Sequence, residues 1–363
     1  MEQNCRPIKT AVVGVGMMGN SQIRNCLWKL PEYEIVAICD PYLPNLEACR
    51  AMFVERGLAV ECYTDHREML QKSDCEFVNI VSPDYTHEEI ACDCLKAGKH
   101  VRLEKPLAIT PEGCVRIREC LKESNAVFQI GLELRYAAPT GKIREWKERL
   151  GHVKILICNE WRPPFLKKTG HINDWIIEKR YSGGTLLEKN CHHFDLFNWF
   201  ADSRPVRVYA TGDGETVYSH TDILDNAFVT VEYENGVRAM LSLCLFAPKK
   251  ENGSHLNELE LGIIGDSGRL SMLGDDVYVW NRATGAESHW HYARENFEAH
   301  SDDIIPTMRE LAECIRTGQK PLTGIEAGIN SALVSFAAEL SAEEMRIVEI
   351  RELEERYGLK YEL

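Results

Sequence analysis

Ile8-Lys9-Thr10-Ala11-Val12-Val13-Gly14-Val15-Gly16-Met17-Met18-Gly19 is the stretch that decides the fold of this chain. A short run rich in β-branched residues ends in three glycines spaced as G-x-G-x-x-G, and a helical stretch, Met18 to Leu30, follows at once. Glycine clusters also occur in ordinary turns, but between a buried strand and a helix this one reads as a dinucleotide-binding turn. Gly14 permits the tight turn, Gly16 lets the backbone approach a pyrophosphate, and Gly19 lets helix and strand pack closely. The helix N-terminus, at Met17 and Met18, then offers N–H groups and a partial positive charge to the phosphates.

Outward from that turn the pattern repeats. Glu34 to Cys39, Phe77 to Val81, His100 to Leu103 and Val127 to Ile130 read as buried strands, with helical stretches Leu43 to Arg56, Tyr85 to Ala97 and Pro111 to Glu123 between them. Strict alternation implies a parallel sheet covered on both faces, so residues 1–131 form an α/β Rossmann domain, a doubly wound parallel sheet. Beyond it the order changes. A helical stretch, Thr140 to Arg149, leads into strand-like Lys154 to Trp161, and Leu186 to Phe200 is again helical. Strands then run consecutively: Val206 to Thr211, Ala227 to Tyr233, Val237 to Phe246, Glu258 to Ile264 and Val277 to Trp280. Asn235-Gly236 supplies a hairpin turn, and such runs imply antiparallel pairing. Ile304 to Thr317 and Gly324 to Leu340 return to helix, with Gly318 as a C-cap. Residues 132–363 are thus expected to form an α+β domain for substrate binding and oligomerisation.

Bulk chemistry narrows the partners. With 42 Lys and Arg against 56 Asp and Glu, the net charge of −14 repels phosphate backbones and anionic membranes, so neither nucleic acid nor membrane is expected. No stretch approaches the ~20 apolar residues of a membrane helix, and Met1-Glu2-Gln3-Asn4-Cys5 does not resemble a signal peptide, so a cytoplasmic location is expected. The 14 cysteines are scattered through apolar runs and read as reduced, mostly buried thiols. Cys92-Asp93-Cys94 lacks the second pair of a structural zinc site, and no metal is expected.

Asp40 ends a strand about 20 residues beyond the last glycine, where a carboxylate accepts hydrogen bonds from an adenosine ribose. Pro41 and Tyr42 follow with no adjacent Arg, which favours NAD over NADP. Ser82-Pro83-Asp84-Tyr85-Thr86-His87 and Glu104-Lys105-Pro106 each leave the carboxyl end of a strand and so border the nicotinamide end of the cofactor, with Ser82, Pro83, His87, Glu104 and Lys105 as candidate contacts. A turn and helix cap accounts equally well for Ser82 to His87. A lysine at the position of Lys105 can hydrogen-bond a substrate hydroxyl, stabilise developing alkoxide charge and help relay the proton.

Gly14 to Gly19, Asp40, Ser82-Pro83 with His87, Ala97-Gly98-Lys99-His100-Val101 and Glu104-Lys105-Pro106-Leu107 together resemble the Gfo/Idh/MocA family, the glucose–fructose oxidoreductase and inositol dehydrogenase relatives. The resemblance covers the whole first domain. It implies an open, largely antiparallel sheet in the second, dimers or tetramers of the chain, and oxidation or reduction at a ring carbon of a sugar, inositol or glycoside.

The second informative segment is Ser182-Gly183-Gly184-Thr185-Leu186-Leu187-Glu188-Lys189-Asn190-Cys191-His192-His193-Phe194-Asp195. On a continuous helix Glu188, His192 and Asp195 share one face, and a histidine held by a carboxylate is a general base near neutrality. The segment resembles the family's Gly-Gly-x-Leu-x-Asp-x-Gly-x-His stretch, which implies His192 as base working with Lys105. Glu188 stands where the family most often has Asp, and Asn190 where Gly is common. His193 is an addition whose ring could face substrate. Adjacent histidines on a helix point about 100° apart, which makes a metal shared by His192 and His193 awkward. Glu133, Arg135, Tyr136, Trp161, Arg162, His171 and Trp175 supply aromatic faces and polar groups suited to a sugar, and Arg162 to Trp175 reads as a lid or specificity loop.

The expected activity is therefore NAD-dependent, reversible oxidation of a secondary ring hydroxyl of a carbohydrate, at C3 of a pyranoside or on inositol. Transient oxidation with elimination of an aglycone, and non-catalytic sensing of NAD and a sugar, are the other uses of the same residues.

Overall fold

A computed structural model describes residues 6–164, 174–248, 259–293 and 301–362. The six strands β1 (Ile8–Val13), β2 (Tyr33–Cys39), β3 (Glu61–Tyr63), β4 (Phe77–Ile80), β5 (His100–Glu104) and β6 (Phe128–Gly131) form one sheet in the order β3-β2-β1-β4-β5-β6. Every pairing in it is parallel. The apolar runs read from the sequence are its buried strands, and all four residues of β4 are buried. β3 escapes a sequence reading because it has three residues and none is fully buried. The strand order reverses direction between β1 and β4, which opens a crevice beyond their carboxyl ends.

The second sheet contains β7 (Val153–Trp161), β8 (Pro205–Asp213), β9 (Asn226–Tyr233), β10 (Arg238–Cys244), β11 (Leu259–Gly265), β12 (Gly268–Leu273), β13 (Asp276–Asn281), β14 (Glu287–His291) and β15 (Val348–Glu349). Its order is β14-β13-β12-β11-β7-β10-β9-β8-β15, and only β7 and β10 pair in parallel. The architecture is therefore α/β Rossmann plus α+β with a largely antiparallel sheet, as expected. The helices Cys191–Ala201 and Ile325–Glu344 pack on one face of this sheet. The other face carries exposed Tyr209, Phe228, Met240 and Leu273. Among the described residues, no helix is long and apolar enough to cross a membrane.

Two departures from the sequence reading matter for the site. The stretch Leu186 to Phe200 is two helices, Thr185–Glu188 and Cys191–Ala201, with a turn at Lys189 and Asn190. Before it, Gly184 sits at φ +103°, and a Cβ there would lie 2.3 Å from Glu339 Oε1, the same oxygen that accepts from the Leu186 N–H at 2.7 Å. A carboxylate from a distant helix thus caps the short helix, and only glycine leaves room for it.

Helix Ser301–Thr317 follows the second sheet in sequence but packs on the first. Its Ile304, Met308, Leu311 and Ala312 share a core with Ile8, Val12, Tyr33 and Phe77, and the Tyr33 hydroxyl donates to the Met308 carbonyl at 2.5 Å. Met308 is fully buried, so Met308→Ala should destabilise the protein by about 2–5 kcal/mol in urea denaturation. An unchanged midpoint would show that this helix is not part of the first core.

Candidate active site

At the cofactor end, the three glycines have different reasons. Gly14 lies at φ +85° with a Cβ position 2.5 Å from the Val81 carbonyl oxygen, and a Cβ on Gly19 would lie 2.0 Å from the Gly14 carbonyl oxygen. Both are demanded by the chain itself. A Cβ on Gly16 would meet only Asn45 Nδ2, at an ordinary 3.5 Å. Nothing in the protein requires glycine there, whereas close approach of a phosphate does. Helix Met17–Asn25 begins at that point without a side-chain cap or an acidic residue in its first turn, and Met17 is exposed. Its first N–H groups are available to an anion. Asp40 Oδ2 accepts from Val15 N at 3.0 Å and from Asn45 Nδ2 at 3.2 Å, while Oδ1 accepts from Tyr42 N at 2.9 Å. The carboxylate braces the glycine turn and keeps acceptor capacity for a ribose hydroxyl. These residues fit a dinucleotide.

His87 has a different place from the one expected. It is wholly buried, with Nδ1 2.7 Å from the Pro106 carbonyl oxygen and Nε2 3.0 Å from the Ser82 carbonyl oxygen. Both ring nitrogens are committed to protein, so the ring ties together the loops leaving β4 and β5 and offers no atom to the cofactor. Glu104 is likewise engaged from within: Oε1 accepts from Gln22 Nε2 and from Arg102 Nη1, each at 2.7 Å. Burial works against the charge on Glu104, but Arg102 and Gln22 hold its carboxyl below the usual range.

Lys105 joins the two domains. Its Nζ donates to the Glu188 carboxylate at 2.5 Å and to the Glu188 carbonyl at 2.7 Å. Burial opposes both charges, yet the pairing keeps Lys105 above and Glu188 below their usual ranges. Asp84, buried beside this pair, goes the other way: burial pushes its carboxyl well above the usual range.

Because Glu188 is spent on Lys105, it does not hold His192. Asp195 does not either, since Arg135 binds it in bidentate fashion at 2.6 and 2.8 Å. Among the described residues the carboxylate facing His192 is Glu133, whose Oε1 lies 3.6 Å from Nε2. The expected trio is lost because the helix breaks before Cys191 and separates Glu188, while Asp195 stays on the helix of His192 but is taken by Arg135.

His193, expected to face substrate, is buried and turned to protein groups. Its Nε2 lies 3.1 Å from buried Glu160 Oε2, and its Nδ1 is 3.3 Å from Asn190 Nδ2. Burial opposes the charge on Glu160, and Lys189, His193 and Arg162 outweigh it and keep the carboxyl below its usual range. Lys189 and Arg162 approach Glu160 Oε1 at 3.1 and 3.9 Å. Strand alternation puts Trp161 on the open face of the sheet, opposite Glu160, where its Nε1 donates to Ser242 at 3.1 Å. The Tyr136 hydroxyl is bound to Glu310 and lies 3.4 Å from Thr323 Oγ1, so it fastens the turn after β6 to helix Ser301–Thr317. Trp175 is half-buried in the turn Asp174–Ile177. His171 and most of the expected lid lie outside the described residues. Sequence reasoning assigned no role to Asp84, Glu160 or Lys189, since single charged residues carry no spacing signal.

A crevice with a phosphate-ready turn, an acidic strand end and a buried lysine defines an NAD-binding oxidoreductase. The model of the oxidoreductase family's NAD-binding Rossmann fold matches residues 8–132 and that of its C-terminal alpha/beta domain matches residues 147–350, so the chain belongs to the Gfo/Idh/MocA family and is an NAD-dependent oxidoreductase. It is 26% identical over 263 residues to inositol 2-dehydrogenase of Klebsiella pneumoniae subsp. pneumoniae, covering 72% of each chain. Against myo-inositol 2-dehydrogenase of Thermotoga maritima the identity is 24% over 356 residues, 95% of this chain and 99% of the relative. An oxidoreductase from Agrobacterium radiobacter, solved with NAD+, L-tartaric acid and magnesium, shares the fold with a TM-score of 0.82 at 15% identity, covering 95% of this chain and 99% of that one.

The glycines give a direct test. Gly16→Ala should leave the thermal midpoint within about 1 °C while weakening NAD binding at least tenfold in a fluorescence titration, because the added methyl meets ligand and not protein. Gly14→Ala should lower the midpoint, because it strains the backbone by about 1–3 kcal/mol and strikes the Val81 carbonyl. Equal behaviour of the two variants would contradict these separate roles.

Proposed function

We propose that this protein oxidises a secondary ring hydroxyl of a cyclic polyol or sugar to a ketone, reversibly, with inositols as the first substrate class and a pyranoside hydroxyl, C3 included, as the second. The observation that carries the reading is the buried Lys105 Nζ held 2.5 Å from Glu188 Oε1 at the carboxyl end of β5. A lysine fixed there presents a cation to the oxygen that gains negative charge as its proton leaves. His192 is the base that takes the proton, with a ring whose ordinary titration range lies near neutrality. Glu188 fixes the lysine, and Arg162 and Trp175 are assigned to substrate contact. When bound, the nicotinamide supplies the acceptor for the C–H electron pair; Gly14, Gly16, Met17, Met18, Gly19 and Asp40, with Ser82 and Pro83 beyond β4, would hold the cofactor. The names of the relatives, which act on inositols, support a polyol substrate. The free thiols of the described cysteines are in keeping with a cytoplasmic protein, and the apolar open face of the second sheet supports self-assembly as a dimer or tetramer.

The deciding experiment follows NADH formation with myo-inositol, scyllo-inositol, free hexoses and aryl glucosides. Turnover with at least one of them is expected, and Lys105→Met should lower kcat by about 10²–10³-fold. Release of aglycone without net NADH would replace simple dehydrogenation with transient oxidation and elimination. No turnover with any of these compounds, or turnover whose kcat is unchanged in Lys105→Met, would overturn the reading.

A further inference from the structure

Three buried carboxyls, Glu188, Asp195 and Glu133, are candidates to hold the proposed base, and their partners differ. Among the described residues Glu188 pairs with Lys105 and Asp195 with Arg135, while Glu133 faces His192 at 3.6 Å. Glu133 opens the single turn Glu133–Arg135 after β6, so the sheet fixes its position. Its side chain is 11% exposed and that of His192 is 8% exposed. Glu133 Oε2 is buried and has no hydrogen-bond partner among the described residues. The other charged groups around Glu133 are Glu104 and Arg102 of β5 and Asp303 of helix Ser301–Thr317. Arg102 Nη1 is already paired with Glu104 at 2.7 Å, so among the described residues Glu133 has no cation of its own.

We propose that Glu133 is the positioning carboxyl of His192 and shares with it the proton removed from the substrate hydroxyl. The proposal rests on His192 being the base of the reaction above. As the substrate O–H bond breaks, its proton forms an N–H bond at His192, the O–H electron pair stays on oxygen to make the carbonyl, and the C–H pair leaves to oxidised NAD. The imidazolium then gives a proton across the 3.6 Å gap to Glu133 Oε1, which leaves the ring neutral and the carboxyl protonated. Catalytic hydrogen bonds of this length commonly tighten in the Michaelis complex. Burial, and then the neighbouring Glu104, push the Glu133 carboxyl up to about 8. Once ionised it therefore holds an incoming proton more tightly than Glu104, which Arg102 keeps ionised.

The sign of the pH dependence follows. Glu133 accepts only when ionised, so kcat for alcohol oxidation should rise with pH through a transition near 8. Glu133→Gln, which keeps the shape but cannot ionise, should remove that transition and lower kcat about 10–100-fold with KM within about threefold. Glu133→Asp should retain a pH transition at reduced kcat. An independent readout needs no substrate: in protein labelled with ¹⁵N-histidine, the His192 signals, identified by their loss in His192→Gln, should titrate in two coupled steps in wild type and in one step in Glu133→Gln. Unchanged His192 titration in Glu133→Gln would overturn the proposal, as would a rise in KM with an unaltered pH profile, which would make Glu133 a plain substrate contact. If the coupled titration is present while no alcohol is turned over, the dyad stands and the proposed function fails. If Glu133→Gln does not fold, the titration and kinetics of Glu133→Asp decide, and a wild-type pH profile with wild-type kcat would refute the role.

Discussion

The ion pair between Lys105 and Glu188 is the constraint on which the rest of the site depends. Burying two charges costs several kcal/mol per ion, and only close geometry with further hydrogen bonds offsets it. Here the lysine ends a strand of the first sheet and the glutamate ends a short helix of the second domain, so neither charge is compensated unless the two domains meet. The same lysine also takes the Glu188 carbonyl, at the point where the chain leaves one helix before starting the next. Both groups of Glu188 are occupied by Lys105, and His192 faces Glu133.

The charges in the cleft sort into closed sets. Arg102 with Glu104, Lys105 with Glu188, and Arg135 with Asp195 are each a neutral pair, and Glu160 is surrounded by Lys189, His193 and Arg162. Asp84 and Glu133 are left over, and burial favours their protonated forms. Such a division fits the physical requirement of acid–base chemistry, which needs some groups pinned in one state and others able to change.

Most of the fold was legible because its signals are local. The apolar runs of β1, β2, β4, β5 and β6, the Gly14 to Gly19 turn and the Asn235-Gly236 hairpin each declare themselves within a few residues. Elements too short to show a period, such as β3 and β15, did not. The site was legible in its members but not in its pairings. Lys105, Glu188 and His192 stand out in sequence, yet which carboxylate each cation takes depends on contacts across 83 residues for Lys105 and Glu188 and 60 for Arg135 and Asp195. Helical spacing pointed from Glu188 to His192, and the break at Lys189 and Asn190 cancelled it. His87, Trp161 and Tyr136 carry chemistry suited to a ligand but spend it on protein, which no local pattern reveals.

The return of helix Ser301–Thr317 to the first sheet makes the two halves of the chain topologically interleaved. The polypeptide leaves the Rossmann sheet after β6, builds most of the second sheet, and comes back to cover Ile8, Val12 and Phe77 before it departs again. A fragment cut after β6 would bare an apolar face that its own residues cannot close. The core of the first sheet is therefore completed by a late part of the chain, and any relative motion of the halves must bend several connections at once.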